Sequence, residues 1–376
     1  MLFRDIPGQN NIAELLRKTV QENRVSHAQL FSGTEGSATL PLALAYAQYI
    51  TCTERTADDA CGKCPSCVKH SRLIHPDLHF VFPVFRTKKF PEPVCDNFLP
   101  EWRAINLATP FFGISDWIEA LEVENAQTII YAAEASEIIR KLSLKTYEAE
   151  YKTMIIWLPE KMHHAAANKL LKLIEEPPDR TLFLLVSEEP DRILPTILSR
   201  CQMIKFRGAD PGAIAGYIAA AFPVGAARAN EIAHVSDGNL VRAIKLASGR
   251  EEEKENLNNF RLLMRHAWKR DIPALIDWSE NIASTGRESQ KDFLGYCLEL
   301  VRGNFIMNRS DKHSLLTSMT EAETKFSSSF NPFVNERNIE KLNHEFNTAF
   351  YHIESNGNAR MIFLDLALQV TMVIRS

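Results

Sequence analysis

The sequence predicts an α/β protein built on a parallel sheet and continued by helical domains. Three observations carry that prediction. Ala28–Ser32 is a short apolar run that opens into a glycine-containing loop and then an apolar helical segment at Leu40–Ile50. Met154–Leu158 and Thr181–Val186 are continuous apolar runs with a helical segment between them. Strands buried on both faces lose their polar alternation, and strand–helix–strand order favours parallel pairing. Beyond about residue 252 helical patterning continues with no strand signal.

Taken in order, residues 9–20 place Ile12, Leu15, Leu16 and Val20 on a helical stripe. Pro41 falls in the first turn of the next helix, where its missing N–H costs nothing. His75–Val84 reads as extended and apolar. Residues 84–126 form an insertion of loops and short elements, broken by Pro91, Pro93, Pro100 and Pro110. Helical patterning returns at 127–145, with Ile138, Ile139 and Leu142 assigned to one face. Residues 162–175 set Ala167, Leu170, Leu171 and Ile174 at i, i+3, i+4, i+7, and Pro177-Pro178 stops that helix. After Gly208 and Pro211 an Ala-rich helical stretch runs to about 248. The expected domains are 1–207 (α/β, with a cysteine module at 52–67 and the insertion at 84–126), 208–250 (small, helical) and 251–376 (larger, helical).

Composition narrows the function. Among 376 residues there are 43 Lys+Arg against 47 Asp+Glu, a formal net charge of −4. That sum argues against a whole-surface nucleic-acid binder and leaves room for a local basic patch. The longest apolar runs fall well short of the roughly 18–20 residues a membrane span needs. The start, Met1 to Gly8, has no apolar signal-peptide core. The expectation is a cytoplasmic protein with no membrane partner.

Four of the seven cysteines, Cys52, Cys61, Cys64 and Cys67, crowd into one short segment with spacing C-x8-C-x2-C-x2-C. Cys-x-x-Cys turns point two thiolates at one ion, and four thiolates fill the tetrahedral shell of Zn²⁺ with no open position. The spacing therefore points to a structural zinc site; free thiols or a redox pair would need only part of it. Cys95, Cys201 and Cys297 read as small buried hydrophobes, and His75 and His79 as structural.

The loop Gly33-Thr-Glu-Gly36-Ser-Ala-Thr-Leu40 stands where a Walker A sequence would. That motif needs glycine for close backbone approach, lysine for the β/γ-phosphates and a hydroxyl for Mg²⁺. Here the second motif glycine is Ala38, the lysine position is Thr39 and the hydroxyl position is Leu40. The strand that should end in a metal-binding acid ends Trp157-Leu158-Pro159-Glu160. No ATP is expected to bind and no hydrolysis is expected in cis. The remaining glycines equally suit a plain strand-to-helix turn.

Residues 165–201 carry Ile174-Glu-Glu-Pro-Pro178, the strand Thr181–Ser187 and Ser199-Arg200-Cys201. Together with the cysteine spacing, Pro7-Gly-Gln9, Ser26-His-Ala28, Phe31-Ser-Gly33 and Gly238-Asn-Leu-Val-Arg242, this resembles the AAA+ clamp-loader subunits of bacterial DNA polymerase III. The resemblance covers about 4–83 and 127–248; the segment 84–126 does not match the pattern. With its nucleotide chemistry degenerate, the chain is similar to the delta-prime branch rather than to gamma/tau.

The resemblance implies an AAA+ domain, a helical lid at 208–250 and a helical collar from 251. It also implies a subunit that does not hydrolyse ATP itself and assembles with delta and gamma/tau. Arg200 would act on a neighbour's ATP in trans, to help load the sliding clamp on primed DNA. A guanidinium is permanently charged and forked, suited to phosphoryl oxygens. Ser199 and Cys201 would support the loop and begin the next strand. On residue chemistry alone the plainer role for Arg200 is pairing with a surface carboxylate. Arg242 and Ser187 would be structural remnants of a sensor region. The tail shows a charged face with Lys254, Arg261, Arg265, Lys269 and Arg270. Two rival readings are an autonomous AAA+ ATPase with a deviant P-loop and a zinc-stabilised DNA-binding module.

Overall fold

The computed structural model describes residues 1–123, 128–248, 252–309 and 319–375. The end of the expected insertion and the first residue of the helix expected from 127 lie outside these. Two compact units are present. The first holds residues 1–121, 127–229 and 238–244; the second holds 122–126, 230–237 and 245–376.

The first unit begins with helix α1 (Asn10–Gln21), strand β1 (Ala28–Ser32) and helix α2 (Thr39–Thr51). Every side chain of α2 from Thr39 to Ile50 is buried, because the helix packs on β1 and two further strands and is covered by α1 and α3 (Pro65–Ser71). β2 (Leu78–Val81), β3 (Lys152–Trp157), β4 (Thr181–Ser187) and β5 (Gln202–Lys205) complete a five-stranded sheet in the order β2-β3-β4-β1-β5. All its pairings are parallel, with Leu30 opposite Leu185 and Ile155 opposite Leu184. The expected α/β class with a parallel sheet is what forms. β1, β3 and β4 are buried along their whole length, which is why they read as unbroken apolar runs.

The insertion is more helical than its prolines suggested. It contains α4 (Leu99–Ala108) and α5 (Ile114–Ala120), and Pro100 sits in the first turn of α4, where it is tolerated. Trp102 and Trp117 anchor these helices, both fully buried. Trp102 stacks on Phe82 at 4.3 Å and meets Trp117 edge-on at 5.4 Å, while Trp117 Nε1 donates to Pro83 O at 2.8 Å. Rings of this size, once fully buried, contribute more than any other side chains to such a small core.

α6 (Ala132–Ser143) buries Ile138 and Leu142 but leaves Ile139 44% exposed. One residue is 100° of helix, so a neighbour in sequence falls at the edge of a narrow buried stripe, and here Ile139 falls outside it. Leu15 on α1 departs from its expected stripe in the same way, at 48% exposure. α7 (His164–Glu175) and the short α8 (Pro195–Leu198) flank β4 in sequence. α9 (Pro211–Ala221), α10 (Ala226–Val235) and α11 (Leu240–Ser248) follow, and the division between the two units falls within α10 and α11.

The second unit is helical throughout its described part. It comprises α12 (Glu252–Lys269), α13 (Ile272–Ala283), α14 (Arg287–Arg309), α15 (Glu321–Phe330), α16 (Ile339–Glu354) and α17 (Ala359–Val373). Phe260, Leu263, Phe346, Phe363 and Val370 lie at its centre. No described helix is long and apolar enough to cross a membrane.

Candidate functional site

In an open parallel sheet, loops at the carboxyl ends of the strands are the usual place for a ligand. The Gly33–Leu40 loop leaves β1 at that end, with Gly33 N donating to Ser187 O at 3.1 Å. The turn enters the left-handed region twice: Gly36 has φ +76° and Ala38, the first residue before α2, has φ +62°. A left-handed alanine costs roughly 1–2 kcal/mol relative to glycine-compatible geometry.

The chain's own residues close this loop. The Asn239 side chain presses on Gly36 so tightly that a Cβ there would collide with it, and Leu240 N donates to Gly36 O at 3.0 Å. Gln9 Nε2 donates to Ser37 O at 3.0 Å and to Arg207 O at 2.8 Å. Ser37 Oγ turns back to Thr34 O at 2.6 Å. Ala38, Thr39 and Leu40 are all buried, so neither replacement at the lysine and hydroxyl positions reaches solvent.

Acid gathers around this closed loop. Glu35 lies in it, Glu160 follows β3 and Glu188 follows β4. Glu160 Oε1 accepts from the N–H groups of Glu188 and Glu189 at 2.9 and 3.1 Å, and its other oxygen is buried without a partner. Burial pushes the Glu188 carboxyl well above the usual range, helped by the charges of Glu35 and Glu160 and opposed in part by Lys161. Sequence reasoning found Glu160 and missed the other two acids. The signal was Glu35, an acid inside a loop read against an anion-binding motif.

Arg200 sits at the other end of the sheet. It precedes β5, whose first residue Gln202 pairs with Gln29 near the start of β1, whereas the loop leaves β1 at Ser32. The two motifs are separated by the strand length, roughly 10 Å or more at 3.3 Å per residue. The Arg200 side chain is 38% exposed and pairs with Glu175 at the end of α7, Nη2 to Oε1, at 2.5 Å. Its Nη1 donates to Thr196 O at 2.8 Å and to Ser199 Oγ at 3.4 Å. Ser199 Oγ itself donates to Thr196 O at 3.1 Å. Burial raises the Cys201 thiol to about 11, so this sulfur is not a ready nucleophile. Glu175 was not singled out from sequence as a partner, although it stands in the motif that carried the resemblance.

The four module cysteines converge. Their Sγ atoms all lie within 4.8 Å of one another, with Cys52 to Cys64 at 4.0 Å and Cys61 to Cys67 at 3.9 Å. A tetrahedral ion with 2.3 Å bonds to sulfur needs S–S edges of roughly 3.8 Å. Backbone N–H groups of Cys61, Cys64 and Cys67 donate to the sulfurs of Cys52, Cys61 and Cys64 at 3.3, 3.2 and 3.5 Å. Burial pushes the Cys52 and Cys67 thiols up. Burial also works against a Cys64 thiolate, but hydrogen bonds from Thr53 and Cys67 outweigh it and bring that thiol to about 6. The donor set, its spacing and the N–H donors all suit a thiophilic ion, so the cluster could hold a metal. His75 is buried and His79 half-buried, with burial holding His79 down to about 4.

The fold and these sites define a parallel α/β domain of P-loop type, with a cysteine module and helical additions. Comparison with known proteins gives the family. A family model described as DNA polymerase III, delta subunit, matches residues 8–210, and the chain belongs to that family. DNA polymerase III subunit delta′ of Bacillus subtilis (strain 168) is 31% identical over 206 residues, 55% of this chain and 50% of that protein. Subunit delta′ of Pseudomonas aeruginosa PAO1 is 27% identical over 268 residues, 67% of this chain and 69% of that protein. Subunit tau of Bacillus subtilis is 27% identical over 214 residues, 57% of this chain and 30% of that protein. The chain thus spans about half the length of the Bacillus delta′ relative.

Proposed function

We propose that this chain is a delta-prime-type clamp-loader subunit that hydrolyses no ATP of its own and offers Arg200 to the ATP site of a neighbouring gamma/tau subunit. The observation that carries this reading is the placement of the two motifs at opposite ends of the sheet. Arg200 cannot reach its own loop, so a phosphate it meets belongs to another chain. Its half-exposed guanidinium is held by one partly exposed carboxylate and one carbonyl. The closed, acidic loop supports loss of nucleotide chemistry in cis, since the carboxylates of Glu35 and Glu160 repel a triphosphate where Walker A supplies lysine.

In this reading residues 1–207 form the AAA+ domain, 208–250 the lid and 251–376 the collar through which the subunit joins delta and gamma/tau. Its working surroundings are the cytoplasm, with the sliding clamp and primed DNA reached through the complex. Ser199 and Cys201 hold the loop that presents Arg200. Cys52, Cys61, Cys64 and Cys67 would hold a structural Zn²⁺. With every position taken by thiolate, the ion would stiffen the module and supply no Lewis-acid site.

The test is reconstitution of the chain with its cognate delta, gamma/tau, clamp and primed DNA, comparing wild type with Arg200→Ala. An arginine finger is worth about 10³–10⁵ in rate at the site it serves. The expected result is a complex that assembles, by gel filtration, and loses most of its DNA-stimulated hydrolysis. Unchanged hydrolysis in an assembled complex defeats the finger; a wild-type chain that joins no complex defeats the subunit assignment. For the metal, elemental analysis of the natively purified chain should find one zinc per chain, lost in Cys67→Ser with a lower Tm. Substoichiometric metal in protein with intact thiols removes zinc from the account.

A further inference from the structure

α12 aligns Arg261, Arg265 and Lys269 at i, i+4 and i+8, three cations on one stripe. Like charges at that spacing weaken a helix by a few tenths of a kcal/mol per pair. Among the described residues none of the three has a carboxylate partner; Arg261 lies over the Phe326 ring at 5.8 Å. A groove of about 310 Å³ runs beside the stripe, walled by Met264, Trp268, Phe330 and Phe333. Trp268 is 41% exposed and Phe333 36%. Arg375 at the groove edge lies over Trp268 at 4.9 Å and brings a fourth cation. Among the described residues the groove lining includes no acid.

A chain with net charge −4 therefore concentrates unneutralised positive charge around an apolar slot. Single-stranded nucleic acid would need ring faces on which to stack its bases. These rings are already engaged: Phe326 stacks on Phe330 at 5.0 Å, Phe330 on Phe333 at 6.0 Å, and Trp268 meets Phe333 edge-on at 4.8 Å. The slot also lies at the small end of the roughly 300–1,000 Å³ range of ligand cavities. It suits one apolar or aromatic side chain with anionic neighbours.

We propose that this groove docks an acidic peptide segment of a partner protein. An apolar anchor seats against Trp268, Phe330 and Phe333, and flanking carboxylates pair with Arg261, Arg265 and Lys269. All these residues belong to the second unit, and none enters the argument for Arg200, so peptide binding by the isolated chain is tested separately from the arginine-finger reading.

The probe is a fluorescein-labelled peptide, Gly-Asp-Glu-Asp-Phe-Leu-Asp-Glu-Gly, titrated with the full chain by anisotropy. Saturable binding is expected, weakened at least tenfold by 0.5 M salt, by replacing Phe-Leu with Ser-Ser, and by Arg265→Glu with Lys269→Glu. Both substituted residues are exposed, so the variant should melt like wild type. Should it not, amide hydrogen exchange on wild type decides, with peptide-dependent protection expected in 261–269 and 326–333 and nowhere else. Four results overturn the proposal. They are no binding, binding indifferent to any one of the three changes, preference for a 20-residue oligothymidylate lost in the same variant, and loss of peptide binding once the chain is assembled with its neighbours. The third makes the groove a nucleic-acid surface and the fourth makes it a subunit interface.

Discussion

The two ends of the parallel sheet differ in every property that matters for phosphate chemistry. At the carboxyl end, in the Gly33–Leu40 loop, Asn239 fills the space over Gly36 and the nearby side chains are Glu35, Glu160 and Glu188. At the amino end, Arg200 is half-exposed and held by a single carboxylate. One end is closed and acidic; the other is open and basic. The two motifs lie on separate elements, the loop after β1 and Arg200 before β5, so either can change in sequence without the other. The fold needs the left-handed turn at Gly36 to join β1 to α2, whatever the loop binds.

The sharpest way to break this contrast is Gly36→Val. A branched residue at φ +76° is strained, and its Cβ would meet the Asn239 side chain and backbone. Strain and overpacking together should cost about 2–4 kcal/mol by denaturant unfolding. Adding Asn239→Ala should recover the clash but not the strain. A Gly36→Val chain as stable as wild type would mean that Asn239 does not close the loop.

A smaller effect tests the acidity of the same end. The folded-state carboxyl of Glu188 titrates well above its ordinary value of 4.5. Between those two pH values the folded chain binds the proton and the unfolded chain does not. The contribution of this group to stability is therefore fully present in acid and is lost as pH rises. Glu188→Gln should raise Tm at pH 8 and give no gain at pH 4. An equal change at both pH values would show that the charge of Glu188, and hence its neighbours Glu35 and Glu160, is not what the substitution relieves.

How much of this contrast was legible beforehand follows from how local each signal is. The buried strands announced themselves because β1, β3 and β4 are covered on both faces. The cysteine cluster was legible because ligand spacing within sixteen residues leaves the chain few ways to scatter its sulfurs. Ala38, Thr39 and Leu40 could be read against a motif of fixed length. What stayed hidden depends on residues far apart in sequence. Asn239 lies two hundred residues from Gly36, and Glu188 meets Glu35 only because β4 pairs with β1. The helices of 84–126 were obscured by Pro100, which turns out to stand in the first turn of α4, by prolines in the loops around them, and by packing that rests on Trp102 and Trp117 rather than on periodicity. Ile139 and Leu15 show the limit of reading a stripe loosely, since adjacent residues diverge by 100°.

The smallest expected effect sharpens the open end. Glu175 and Arg200 are each more than a third exposed, 37% and 38%, and such pairs contribute about 0–1 kcal/mol after screening and side-chain entropy. Glu175→Gln should therefore move the Tm of the isolated chain by no more than a degree or two. If Arg200 works on another subunit's phosphate, it must leave Glu175 to do so, and a weak pair is the right kind of restraint: it holds the fork at the surface and gives it up at little cost. In the reconstituted complex, Glu175→Gln should then hydrolyse ATP at least as fast as wild type, while Arg200→Ala does not. A Glu175→Gln complex as impaired as Arg200→Ala would make the carboxylate part of the working site. A loss of several kcal/mol in the isolated chain would instead make the pair a structural anchor, and Arg200 would then have no freedom to reach across to a neighbour.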